Sequence, residues 1–385
     1  MKTKSLILIS LLVIVLLFTG CNMKMAPNAI DIKEYLPTKK SPSNTYQGKS
    51  NGVFYNPFNF SHTDFGKLIL VNIDGRSEIK AVELVVQSDN KGAFVIVYYH
   101  NGKVENYMNS LLTIDRKYLK PNVDWEIAGE QDFEFLFKDT PKGVDFALDI
   151  TIKNGQRIKI KLQENYTDIK RYSFLAAIGA DLTEVKRFPF IYLKDAGFIP
   201  VESADVYFEI DGKEMKLTKI PIKVEGKKCY KTVYSLTPLP FFWNEERNIC
   251  LSPENVSNTQ TYQKDNAEYL FADNNGHKEI ENITYKANGH LGNLRFSPSF
   301  PDIASLKSGK KVNGKFSLGV DDIEGVIGGV YSVININDKI IIDFQPEKCW
   351  QPMPGKDWVT AYHYHAKLKL IENDKLQIKS EWIVK

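Results

Sequence analysis

The segment Tyr362–Val384 reads YHYHAKLKLIENDKLQIKSEWIV, and its two halves decide the fold class. Tyr364, Ala366, Leu368 and Leu370 alternate with His363, His365, Lys367 and Lys369. Alternation at period two sends one set to a core and the other to solvent, the mark of a half-buried strand. The return half carries Ile378, Trp382 and Val384 at even positions, with Ser380 between them. A two-residue loop at Asn373-Asp374 would set these apolar residues against charges. A three-residue loop over 373–375 pairs Leu370 with Ile378, Ala366 with Trp382 and Tyr364 with Val384, and brings Lys367 opposite Glu381. A one-residue slip turns a whole strand over, so an odd-length loop is expected. The hairpin around Asn154-Gly155 leads to the same expectation, pairing Ile150 with Ile160 and Ile152 with Ile158.

Similar runs extend back through the chain: KLILVNI at 67–73, AFVIVYYH at 93–100, DFALDITI at 145–152, RIKIKLQ at 157–163, then 206–210, 278–286, 330–336 and 339–344. They are rich in Val, Ile, Tyr and Phe and are divided by Asn/Asp-Gly and Asn-Asp dipeptides, which favour tight turns. At most a turn or two of helix is expected, over Ser173–Ile178 and Asp181–Arg187. The fold class is therefore all-β. The leading architecture is two antiparallel β-sandwich or barrel-like domains, at 51–240 and 265–385. The alternatives are one large β assembly or double lipocalin-like barrels. The stretch Leu236–Gln263, where aromatics crowd prolines before polar residues take over, marks the expected junction.

The chain has 385 residues, 43% hydrophobic and 25% charged, the range of a globular protein. Fifty Lys and Arg face 47 Asp and Glu, and two of the lysines, Lys2 and Lys4, lie in the first 20 residues. The remainder is nearly neutral, which removes any bulk electrostatic reason for a nucleic-acid partner.

Behind Lys2 and Lys4, residues 6–18 read LILISLLVIVLLF, thirteen residues with a single serine. This is too short to span ~30 Å of hydrocarbon and has the length of a signal-peptide core. The run closes with Phe18-Thr19-Gly20-Cys21, which resembles the lipobox of bacterial lipoproteins, with Phe18 where that family most often has Leu. The resemblance covers residues 1–21. It implies cleavage after residue 20 and transfer of a diacylglycerol to the Cys21 sulfur, with palmitate-type acyl chains holding the protein to the cell membrane on its extracytoplasmic side. Several chains make a stable anchor, since each buried methylene contributes about 0.8 kcal/mol. Residues 21–50, rich in Pro, Ser, Lys and Asn, are expected to be a flexible tether.

Chemistry is less legible. Besides Cys21 there are Cys229, Cys250 and Cys349. Three is odd, so at least one thiol stays free or pairs between chains. Buried free thiols are favoured over a Cys229–Cys250 bridge. His363 and His365 share a strand face and would suit two ligands of one metal, but no third ligand is legible. That face runs on into Lys367 and Lys369, so it is read as exposed, and no metal and no cofactor are assigned. Asp321, Asp322 and Glu324 are read as a solvated loop. Trp350 and Trp358 bracket a stiff Pro352-Met353-Pro354 turn, where the indoles would either cap the open end of a β core or offer flat faces to a ligand or partner. Trp350, Trp358, His363 and His365 are thus the candidate ligand-binding residues, and Cys21 the lipidation site. No nucleophile, phosphate-loop or zinc-protease motif occurs.

The resulting expectation is a membrane-anchored extracytoplasmic lipoprotein. It would be a non-catalytic binding or envelope-associated protein for a glycan, lipid or protein partner. The alternative is an envelope carbohydrate- or lipid-modifying enzyme with a carboxylate/histidine cleft. An acidic residue of the 321–324 loop meeting a histidine in a cavity would favour the enzyme, and an open apolar lumen would favour lipid transport.

Overall fold

The computed structural model describes residues 41–384, apart from 43, 49, 51, 64, 76, 102, 114–124, 131, 178–185, 225–227, 322–325, 349–360 and 372–373. Cys21, Cys349, Trp350, Trp358, Asp322 and Glu324 lie outside the described residues. The protein is all-β, with nearly all sheet pairings antiparallel. Arg171–Ala177 is a strand paired with Phe188–Pro200, so the helical turn expected from Ser173 is not formed.

The second half of the chain forms a ten-stranded sheet. From Thr261–Lys264 to Lys375–Val384 each strand pairs with the next, and Arg247–Leu251 closes onto the last one. The two edge strands are therefore neighbours in sequence, with Leu251 at the end of one and Thr261 at the start of the other. Ten flat strands would measure about 43 Å across at ~4.8 Å spacing. Ten extended residues reach at most about 35 Å, and this connection turns back to pair with Val53–Phe54 on its way. The sheet is accordingly rolled into a half-barrel, and its two edges face each other across a seam.

Aromatic rings fill the interior of the roll. Phe58 lies against Phe296, Phe300 and Phe344, and Trp243 against Phe316, Phe344 and Trp382. Both residues come from outside the ten-stranded sheet. Thr237–Trp243 belongs to an eleven-stranded sheet with Phe188–Pro200 and Phe60–His62. Its two prolines are tolerated because Pro240 O accepts from Thr63 N. That bond shows the even-numbered residues turned away from the Phe188–Pro200 ladder, where a missing N–H costs nothing. The region expected as a domain junction is thus a strand that plugs the second half.

The rest of the eleven-stranded sheet packs on a five-stranded one that includes Gly143–Thr151, Arg157–Glu164 and Ala204–Ile210. Phe188–Pro200 connects the two cores, with Phe188, Phe190 and Tyr192 in the rolled core and Ile199 in the stacked one. The first described residues also belong to the body. Ser41 N donates to Glu279 Oε2 at 3.1 Å, Asn274 Nδ2 donates to Ser41 O at 2.9 Å, and Tyr46 stacks on His277. The boundary expected at 50 between tether and body therefore falls no later than Ser41.

Both tested hairpins have odd loops, as expected, but each is two residues from the expected register. Leu370 pairs with Leu376 and Ala366 with Ser380. Ile150 pairs with Ile158 and Leu148 with Ile160. A three-residue loop needs a left-handed residue in its last place. Asp374 (φ 53°) and Gly155 (φ 87°) occupy that place, whereas the expected loops would have put Lys375 and Gln156 there.

Candidate functional site

At the seam a cavity of about 340 Å³ lies between the two edge strands and the incoming segment that carries Asn56–Phe60. Buried Phe58, Tyr269 and Tyr285 give it aromatic walls, and Asn56, Asn59 and Arg247 bring polar groups. Asn56 sits in this place because its Oδ1 accepts from Phe58 N at 2.9 Å, a local turn that aims its Nδ2 at the Tyr269 hydroxyl 2.6 Å away. Burial pushes the Tyr269 phenol above its ordinary value, so it stays a neutral hydroxyl. The Tyr285 hydroxyl lies 2.9 Å from His62 Nδ1. Arg247 is held at both ends: its N donates to Ser380 Oγ at 3.0 Å and its Nη2 to Pro57 O. The lining includes Arg247 and Lys264 against Glu254 and Asp265, so its formal charge balances, and Lys264 is paired with Glu254 at 2.9 Å. Cys250, a free and exposed thiol, also lines the cavity. The Cys229–Cys250 bridge is therefore not made, and burial of this thiol is not borne out.

The sequence-derived residues are distributed differently. His363 and His365 project from the outer face of the rolled sheet, where both meet one partner the sequence did not reveal. His363 Nε2 lies 2.9 Å and His365 Nδ1 2.8 Å from Asp343 Oδ1. The three side chains are half-buried, not fully solvated as expected. Asp321 does meet a histidine, with its Oδ2 2.6 Å from His290 Nδ1. However, its other oxygen accepts from Leu291 N and its own N donates to Leu291 O, so the pair closes a turn and does not line the cavity. Glu164 is a buried acid in the first half, with Val144 N donating to its Oε2 at 3.1 Å. Burial pushes its pKa up to about 7.

The cavity residues escaped sequence reading because they come from three distant stretches around 56–60, 247–254 and 264–285. The one local sign was the Asn-rich NPFN at 56–59 ahead of a strand. The architecture is thus a plugged β half-barrel with a polar, aromatic-walled cavity at its seam. Comparison of the chain with family models, curated proteins and solved structures finds no match.

Proposed function

We propose that this chain is a lipid-anchored protein of the extracytoplasmic side that binds, without catalysis, a small neutral hydroxyl-rich ligand such as a glycan end. The observation that carries the reading is the seam cavity. Its volume of about 340 Å³ is at the small end of the ligand-pocket range of roughly 300–1,000 Å³. Tyrosine and phenylalanine rings offer faces to a sugar's C–H surface, while Asn56, Asn59 and Arg247 offer amide and guanidinium groups to its hydroxyls. Balanced lining charge suits an uncharged ligand. Among the described residues, rings fill the inside of the roll, which supports a small polar ligand over a lipid cargo. The anchor rests on the Lys2/Lys4, apolar-run and Cys21 pattern.

Two measurements test the two parts. On a glycan array, the full-length protein in detergent should bind a defined set of neutral glycans, and Asn56→Ala should weaken binding at least tenfold. An array without hits, or hits indifferent to Asn56→Ala, would overturn the binding reading. Cys21→Ser should release the protein from membranes on cell fractionation. Unchanged membrane association without acylation would overturn the anchor.

A further inference from the structure

We infer that Asp343, His363 and His365 form a binding site for one divalent transition-metal ion, Zn²⁺ foremost. The site shares no residue with the seam cavity and does not depend on that reading. Adjacent strands Lys339–Lys348 and Tyr362–Ile371 pair Asp343 directly with His365, and His363 follows two residues away on the same face. One ligand atom from each residue lies within 4.8 Å of the other two. Tetrahedral zinc, with bonds of ~2.0–2.2 Å, wants its ligands about 3.3 Å apart. The nitrogens now sit 2.9 and 2.8 Å from the carboxylate oxygen, so binding needs an opening of roughly half an ångström.

The ligands stand on a firm base. Ile342, Phe344, Tyr364 and Ala366, which alternate with them, are all buried on the opposite face. His363 is oriented from behind, its Nδ1 lying 3.2 Å from Gln345 Oε1. Gln345 is itself fixed by donating Nε2 to Tyr362 O at 2.9 Å. This is the outer partner that metal-bound histidines commonly have. Two imidazoles and one carboxylate suit zinc-like ions better than calcium or magnesium, which favour all-oxygen sets. The side chains are 27% (His363), 22% (His365) and 30% (Asp343) exposed, so the outward coordination position opens to water. Three protein ligands with an open fourth place make an exchangeable or reactive zinc site rather than a closed structural one.

The test uses untagged full-length protein in detergent, titrated with Zn²⁺ against a chromophoric chelator. One equivalent per chain is expected to bind. Asp343→Asn and His365→Ala should each weaken binding by about a hundredfold or more, and Gln345→Ala by about 10–100-fold. His100→Ala should leave it unchanged. Metal-free variants should melt with the wild type. If a variant does not fold, the histidine ring ¹⁵N resonances of the wild type decide: His363 and His365 should shift together at one equivalent. No such shift, or equal uptake by a His363→Ala/His365→Ala double variant, would overturn the site.

Discussion

Between the stacked sheets of the first half the core is built from residues such as Val71, Leu84, Val95, Ile150 and Ile160, whereas inside the roll it is built from Phe58, Trp243, Phe296, Phe300, Phe316 and Phe344. The chemistry is apolar in both, and the difference is side-chain size. Two sheets stacked ~10 Å apart leave a thin space, and β-branched and other aliphatic residues predominate in it, with a few rings such as Phe137, Phe146 and Phe208 among them. A sheet that curls until its edges face each other encloses a wider space, which its own strands fill with rings as well as with aliphatic residues such as Ile283, Leu294 and Ile342. Even those do not suffice here, and the chain adds Phe58 and Trp243 from outside the ten-stranded sheet. Sheet curvature, more than hydrophobicity, divides the two compositions.

The comparison can be broken most directly at Trp243, which is fully buried. Trp243→Ala should cost about 3–5 kcal/mol in urea unfolding, because the rings around it cannot collapse into the gap. Trp243→Phe should cost much less, since the Trp243 Nε1 has no hydrogen-bond partner among the described residues. A loss below about 1 kcal/mol for the alanine variant would mean that the plug does not support the roll.

Next in size is a pH effect in the first half. Glu164, in the first half, has its pKa raised to about 7 by burial. An acid whose folded value lies above its unfolded value of ~4.3 favours the fold while protonated. That contribution is full below about pH 4.3 and is lost as the pH climbs through 7, a swing on the order of 3 kcal/mol. Glu164→Gln should flatten the stability profile between pH 5 and 8 and make the variant more stable than wild type at pH 8. An unchanged slope would show that another group titrates in that window. The smallest effect is expected in the aliphatic layer, where Ile160→Val should cost about 0.5–1.5 kcal/mol in the same unfolding assay. A cost near that of Trp243→Ala would erase the contrast between the cores.

Much of the sheet structure was legible because alternation is local. Tyr364, Ala366 and Leu368 declare a buried face without reference to anything distant, and the parity of each hairpin follows from it. Register was only half legible. A shift of two residues keeps every apolar residue on its face, so pattern cannot choose between the two pairings. The left-handed requirement met by Asp374 and Gly155 makes the choice. Asp343 was missed for a related reason. Its neighbours Ile340, Ile342 and Phe344 mark the inner face and leave Asp343 outside, but the long connection to Tyr362 fixes no register, so its meeting with His365 could not be read. The exchange of Phe58 and Trp243 into the other core leaves no local mark at all, since either residue could have packed within its own half.

The plug also dictates an order of assembly. A ribosome makes Phe58 long before Phe296, Phe300 and Phe344, yet those rings are what bury it. Ser41, Tyr46 and Gln47 likewise wait for Asn274, Glu279 and Ser305. The earliest-made part of the body therefore cannot settle before the distal strands are made, and contacts of such long sequence separation are slow to form. A molecule that loses its distal strands to a premature stop would leave Phe58 and Trp243 without the rings that bury them.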